Sequence, residues 1–180
     1  MHFGHTNILK YCNRPFNTIQ DMDRALIKNW NDRVAPNDVV YHLGDFAFAS
    51  PARISDLLFR ALHGRIRLIR GNHDRWIKGF KNENPSKVEW IRDYYEIKDL
   101  PERIILFHYP IGSWNKAHHG SIHLHGHSHG NYQFSWPVSS ECGKIMDMGV
   151  DCNNYSPVSA EEVIERASKL QFRNVDHHGD

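Results

Sequence analysis

The sequence predicts an α/β protein with helices packed on β-sheets, because amphipathic helical segments alternate with short apolar strands. Residues 18–34 repeat apolar side chains at helical spacing after Thr18, a suitable N-cap residue. Residues 38–43 (DVVYHL) form a short apolar run typical of a buried strand. Residues 65–70 (RIRLIR) alternate charged and apolar side chains, which is the two-residue period of a half-buried strand.

The remaining elements continue this alternation. Ser50-Pro51 begins a second helix, which Gly64 ends. Ser159 and Glu162 form a capping box at the start of the last helix. Four further segments are predicted strands: residues 89–97, 103–107, 121–124 and 144–150. The side chains expected to face the core from the three helices are Ile19, Met22, Leu26 and Trp30, then Ile54, Leu57, Leu58 and Leu62, then Val163, Ile164, Ala167 and Leu170.

The composition is that of an ordinary globular protein, with 40% hydrophobic and 24% charged residues. No linker or repeat divides the chain, so we expect one domain over residues 1–172 and a polar tail at 173–180. The formal net charge of +1 gives no sign of a nucleic-acid or membrane partner. No apolar run reaches the length of a membrane span, and the polar start does not resemble a signal peptide. Three cysteines without paired spacing favour a reducing, cytoplasmic setting.

Potential metal ligands follow four of the predicted strands and also occupy the start of the chain. Asp45, the run 71–74 (GNHD), His108 and the run 125–129 (HGHSH) each come directly after a strand. In α/β folds, ligands bind at the carboxyl ends of strands, on loops that the sheet holds rigidly. Carboxylate, imidazole and amide oxygen suit borderline divalent metals such as Mn, Fe, Zn or Co, and no cysteine lies in these clusters.

The run HFGH at 2–5, GD at 44–45, GNHD, the isolated His108 and GHSH at 126–129 together resemble the calcineurin-like metallophosphoesterases. The resemblance extends from His2 to about Asp151 and is greatest to the small single-domain bacterial and phage members. It implies a four-layer α-β-β-α sandwich of two mixed sheets. It also implies hydrolysis of a small phosphomonoester or phosphodiester by two divalent metal ions, with Mn favoured and Fe, Zn, Co or Ni also suitable.

The resemblance also implies a role for each matching residue. Asp45 would bridge the two metals. Asn72, His108 and His127 would complete one metal site, and His2 and His129 would serve the other. His73 would act as a general acid or stabilise charge on the phosphoryl group, and Asp74 would orient it. The ligands and catalytic residues implied in this way are His2, Asp45, Asn72, His73, Asp74, His108, His127 and His129.

The start of the sequence departs from the family pattern. The first motif of the family is Asp-x-His, and here Met1 stands at the middle position, with no Asp and no strand before it. We therefore expect a sandwich without its first strand, in which the site of His2 and His129 binds metal more weakly than the other, or binds it with water in place of the carboxylate.

Several neighbouring residues have two interpretations. His5 could bind phosphate or pack under the first loop, and Arg14 could bind phosphate oxygens or lie solvated in its loop. His125 could support a metal ligand as a hydrogen-bond partner. Asp147 and Asp151 could accept hydrogen bonds from ligand histidines or form structural turns.

Two other functions remain as hypotheses. One is a metallophosphoesterase-fold module that binds a protein and has weak or no activity, although His73 and Asp74 favour a hydrolase. The other is a nuclease, supported by the basic residues between Arg65 and Lys81. Because Arg65 and Arg67 are expected on the wet face of an edge strand, near balancing acidic residues, we predict a small phosphate ester rather than nucleic acid as the partner.

Overall fold

The computed structural model describes residues 1–80, 84–131 and 144–170, and within these ranges the strands form two sheets. The first sheet is parallel, in the order β1-β2-β3. The second has the order β4-β5-β6-β7, with β4 antiparallel to β5 and the other pairs parallel. From β1 to β7 the strands are Val39–His42, Arg65–Ile69, Val88–Arg92, Tyr94–Ile97, Ile104–Phe107, Ile122–His125 and Lys144–Asp147.

The α-helices, α1 to α4, are Ile8–Tyr11, Ile19–Arg33, Pro51–Asp56 and Ala160–Ser168. Helix α3 continues as a π-helical turn over Leu57–Ala61. The predicted N-caps are confirmed: the Thr18 hydroxyl accepts a hydrogen bond from the Asp21 N–H, and Ser159 and Glu162 form a reciprocal capping box. Helix α1 was not predicted, because a single turn is too short to display helical periodicity.

Side chains on the two faces of β2 pack into two different hydrophobic clusters of the core. Ile66 and Leu68 pack with buried side chains of α2 and α3, whereas Ile69 belongs to the cluster formed with β5, β6 and α4. Each such side chain contributes about 1.5–3 kcal/mol when it is fully buried. The predicted α/β sandwich of two sheets with helices is therefore confirmed, although the three-stranded sheet is parallel rather than mixed.

Residues 89–97 form two strands rather than the single predicted one. Strand β3 ends at Arg92, and β4 begins at Tyr94 in the other sheet. Only Asp93 separates them, so the chain crosses between the sheets without a turn signal that a sequence pattern could reveal.

Three smaller expectations were wrong. Strand β2 is central rather than an edge, and its Arg65 and Arg67 are paired with Glu89 of β3. The last strand was predicted to reach residue 150, but it ends at Asp147. The carboxylate of Asp147 accepts the backbone N–H groups of Gly149 and Gly130 there. Leu170 was expected to face the core, but it is 37% exposed because α4 ends before it.

The end of the domain at 172, the tail at 173–180 and Lys81 lie outside the described residues.

A cavity of about 690 Å³ is lined by apolar side chains of both sheets and α4, including Tyr41, Leu106 and Val163. The same cavity is lined by His2 and Asp45, so it extends to the loops at one end of the sheets. In the described part of the chain, no helix is both long enough and apolar enough to cross a bilayer.

His123 of β6 is fully buried beside Trp114, and burial lowers its pKa from 6.5 to about 4. As the pH falls from 6.5 to 4, the unfolded chain takes up a proton that the folded chain excludes. This residue should therefore remove about 3 kcal/mol from the free energy of unfolding over that range. In His123→Gln, the free energy of unfolding should fall by about 3 kcal/mol less over the same pH range. Urea unfolding of the metal-free proteins at a series of pH values measures this, and parallel pH profiles would contradict the prediction.

Candidate metal centre

The loops that carry the predicted ligands meet at one end of the two sheets. Asp45 follows β1, Asn72 follows β2, His108 follows β5, and His127 and His129 follow β6. Because β1 and β2 are parallel neighbours, as are β5 and β6, their carboxyl ends lie side by side. Topology thus brings together residues that are far apart in the sequence.

Two glycines allow the loops after β1 and β2 to touch. A Cβ atom on Gly71 would lie 2.3 Å from Oδ1 of Asp45, and one on Gly44 would lie 2.6 Å from the backbone nitrogen of Gly71. Any side chain at these positions would force the loops apart. The glycines in GD and GNHD are therefore required by this close approach.

The carboxylate of Asp45 lies between two groups of histidines. Its Oδ2 is 3.5 Å from Nε2 of His108 and 3.7 Å from Nε2 of His2, and its Oδ1 accepts the backbone N–H of His73 at 2.8 Å. Burial raises the pKa of Asp45, but the hydrogen bonds from His108 and the His73 backbone outweigh burial and hold the pKa below its usual range. Asp45 is thus an anion that faces both sides of the site.

On one side of Asp45, potential metal-ligand atoms converge. Nε2 of His108 lies 2.9 Å from Oδ1 of Asn72, and Nδ1 of His127 lies 3.1 Å from the same oxygen. One ligand atom from each of Asp45, His108 and His127 lies within 4.8 Å of the others. Nδ1 of His108 faces the Leu43 carbonyl at 2.7 Å, so it carries the proton in the neutral ring and leaves Nε2 as an acceptor.

This arrangement fits a divalent cation, because Nε2 of the neutral His108 ring and Oδ1 of Asn72 are both acceptors with no hydrogen between them. In the metal-free chain, a proton on His108 can fill the gap. Burial lowers the pKa of His108, but the hydrogen bonds to Asp45 and to the Leu43 carbonyl outweigh burial and raise it. A metal ion would replace that proton, and a carboxylate, an amide oxygen and two imidazoles suit Mn, Fe, Zn or Co.

On the other side of Asp45, the rings of His2 and His129 lie 4.9 Å apart between centroids. His2 is buried, and its Nδ1 has no hydrogen-bond partner among the described residues. Burial lowers the pKa of His2 to about 2, so the ring is neutral and can bind a metal. A buried nitrogen without a partner is costly in a core and is expected in a site that binds a cation.

The backbone supports the same assignment. Eight non-glycine residues in the described part of the chain have positive φ, and four of them are predicted ligands: His2, Asp45, His127 and His129. Such a conformation costs on the order of 1 kcal/mol for each residue and concentrates at functional sites. Sequence reasoning could not detect this feature, since nothing in the local residue types requires it.

Asp74 has different contacts from those expected of a residue that orients His73. Its carboxylate accepts the backbone N–H groups of Asp45, Phe46 and Gly71 and the indole N–H of Trp76, all at 2.8–2.9 Å. Within the described ranges, it makes no hydrogen bond to the His73 ring. The expected orienting contact is therefore absent there, and Asp74 instead joins the two ligand loops.

The guanidinium of Arg14 contacts other protein groups rather than solvent. Its Nε and Nη2 donate to the two carboxylate oxygens of Asp151, each at 2.8 Å, and its Nη1 donates to the Met1 carbonyl at 2.9 Å. The side chain has no exposed surface, so the alternative of a solvated loop arginine is wrong. Phosphate binding by Arg14 stays a prediction.

Aromatic rings border the centre. His5 stacks on Phe48 at 4.1 Å between centroids, and the exposed His73 lies 4.9 Å from the same ring. Tyr109 lies 4.7 Å from the ring of His127 and is 37% exposed. Phe48 and Tyr109 were not recognised from the sequence, although Tyr109 directly follows His108 and its position was a usable signal.

Cys12 corrects the expectation that no cysteine lies in a ligand cluster. Ligand atoms of Cys12, His129 and Asp151 lie within 4.8 Å of one another. Within this cluster, however, Nδ1 of His129 is hydrogen-bonded to Asp151 at 2.7 Å, and Asp151 also holds Arg14. Nδ1 of His125 lies 2.8 Å from the Gly126 carbonyl oxygen, and support of a metal ligand by His125 stays a prediction.

Comparison with known proteins identifies the family of the chain. The family model described as calcineurin-like phosphoesterase matches residues 1–100, more than half of the chain. The chain belongs to this family. Membership of the calcineurin-like phosphoesterases confirms the resemblance in the motifs and indicates metal-dependent hydrolysis of phosphate esters.

The relatives are small proteins of similar length. The chain is 36% identical over 169 residues to the uncharacterized protein MJ1445 of Methanocaldococcus jannaschii, covering 93% of this chain and 88% of that protein. It is 30% identical over 152 residues to the Gene 66 protein of Mycobacterium phage D29, covering 72% of this chain and 75% of that protein. The crystal structure of protein AQ665 of Aquifex aeolicus, described as of unknown function, matches with a TM-score of 0.70 and 25% identity over 92% of this chain and 94% of that one.

Proposed function

We propose that this calcineurin-like phosphoesterase hydrolyses a small phosphomonoester or phosphodiester with two divalent metal ions, Mn being the first choice. The supporting observation is the position of Asp45, whose carboxylate faces His108 on one side and His2 on the other. One ion would be held by Asp45, Asn72, His108 and His127, and the second by Asp45, His2 and His129. When bound, such a pair neutralises phosphoryl oxygens and activates a water molecule.

The residues around this pair have separate tasks. His73 is exposed, its backbone N–H is bonded to Asp45, and its ring rests near Phe48. In this proposal the exposed imidazole faces the substrate and donates a proton to the leaving oxygen. In the same proposal His5, which stacks on Phe48, contacts the phosphate. We propose both as substrate contacts.

The deciding experiment measures turnover of bis(p-nitrophenyl) phosphate and p-nitrophenyl phosphate by the Mn-loaded protein and by His73→Ala. Loss of a general acid should lower kcat by about 10²–10⁴-fold while the metal content stays unchanged. His63→Ala is the matched control, because His63 is exposed and precedes β2 at the end of the sheet away from the ligands. Its activity should equal that of the unmodified protein.

The outcomes separate the two main hypotheses. Hydrolysis that survives His73→Ala unchanged would remove His73 from the mechanism. If the unmodified protein binds metal and hydrolyses neither ester, the result favours the alternative of a protein-binding module with this fold.

A further inference from the structure

Asp151 and Arg14 form a buried pair beside the predicted ligand His129. Nδ1 of His129 lies 2.7 Å from Oδ2 of Asp151. An ionised carboxylate has no hydrogen to donate and can only accept hydrogen bonds. The neutral His129 ring must therefore carry its proton on Nδ1. Nε2 is then left with a free electron pair.

Arg14 holds this carboxylate in place. Its Nε and Nη2 bond the two oxygens of Asp151 side by side, each at 2.8 Å, in the geometry that best fits a guanidinium to a carboxylate. The positive charge of Arg14 at this distance favours the ionised form of the Asp151 carboxylate. The Arg14 side chain has no exposed surface, so its guanidinium is shielded from water.

The third contact of Arg14 connects the pair to the other predicted ligand on this side. Its Nη1 donates to the carbonyl of Met1, the residue next to His2. Arg14 thus joins the segment that carries His2 to Asp151, and Asp151 joins it to His129. His129 itself has a φ of +49°, a strained backbone conformation that benefits from such support.

We infer that Asp151, clamped by Arg14, is a positioning residue that fixes His129 with its proton on Nδ1, so that Nε2 is the atom offered to a metal ion. The inference rests on the proposed two-metal function. Partners of this kind orient a ligand histidine and raise its basicity, and their loss usually lowers metal affinity by about 10–100-fold.

Direct metal binding by Cys12, His129 and Asp151 is the competing explanation of the same cluster. If Nδ1 of His129 were the ligand atom, it would have to give up its hydrogen bond to Asp151. Direct binding would also require Asp151 to bind the metal with oxygens that already accept bonds from Arg14 and His129. Cys12 therefore provides a variant that separates the two explanations.

The first measurement uses the unmodified, metal-free chain with ¹⁵N-labelled histidine in mildly alkaline solution. Nitrogen chemical shifts and long-range proton couplings identify which ring nitrogen of His129 carries the proton. We expect Nδ1–H. A ring protonated on Nε2 would overturn the inference, and this test requires no variant other than the His129→Gln protein used to assign the signal.

The second measurement compares the Zn²⁺ and Mn²⁺ affinities of the unmodified chain, Asp151→Asn and Cys12→Ser by competition with a chelating indicator. Asp151→Asn should bind one ion about 10–100-fold more weakly and the other normally, and part of its His129 ring should shift to the Nε2–H form. Cys12→Ser should bind both ions normally.

Each contrary result has a distinct meaning. If the unmodified chain binds only one ion, both the two-metal function and the inference fail. If it binds two ions and Asp151→Asn binds them equally well, only the inference fails. An equal loss of affinity in Cys12→Ser and Asp151→Asn would show that the cluster itself binds the metal, which also overturns the inference.

Discussion

Asp45→Asn is expected to lower metal affinity by roughly 10²–10⁴-fold. Removing one partner of a buried ion pair costs about 3–5 kcal/mol, because the charge of the other partner is left uncompensated. Asp45 is 3% exposed, and its Oδ2 lies within 3.7 Å of ring nitrogens on both sides of the site. Asparagine keeps the size of the side chain and the oxygen that accepts the His73 N–H. The loss should therefore fall on metal binding and turnover rather than on the fold.

Competition titration with a chelating indicator measures the affinity, and hydrolysis of bis(p-nitrophenyl) phosphate measures the turnover. The matched control is Asp32→Asn, which removes an exposed carboxylate paired with Lys28 on α2. The control should bind metal and hydrolyse the ester like the unmodified protein. Two tightly bound ions in Asp45→Asn would contradict the assignment of Asp45 as the shared ligand.

Asp74→Ala is expected to lower the free energy of unfolding of the metal-free protein by about 3–5 kcal/mol. The carboxylate of Asp74 is 3% exposed and accepts four hydrogen bonds, three of them from backbone N–H groups in the loops after β1 and β2. Alanine would leave these donors buried without an acceptor. A loss of this size is a large part of the stability of a typical domain, about 5–15 kcal/mol.

Urea unfolding followed by far-UV circular dichroism measures this effect. Asp32→Ala is the control and should change the free energy of unfolding by no more than about 0.5 kcal/mol, because its ion pair is exposed. If Asp74→Ala unfolds at the same urea concentration as the unmodified chain and loses only turnover, Asp74 acts in catalysis and not as the link between the loops.

The sequence by itself determined the fold class, most elements and the groups of ligands. Strand periods such as that of residues 65–70, and caps such as Thr18, are local properties that depend on neighbouring residues alone. The meeting of Asp45 with Asn72 could also be expected, because parallel strands bring their carboxyl ends together. The family followed from the same motifs, since their order along the chain is specific.

Only the tertiary structure decided which residues support the ligands. Arg14 and Asp151 are 137 positions apart, so no local pattern connects them. Asp74 was expected to orient the residue beside it, yet it bonds Asp45 and Phe46 across a loop contact that Gly71 makes possible. Similarly, residues 89–97 divide between two sheets at Asp93. In each case the partner of a side chain or strand depends on how distant segments pack, and the residue types leave that choice open.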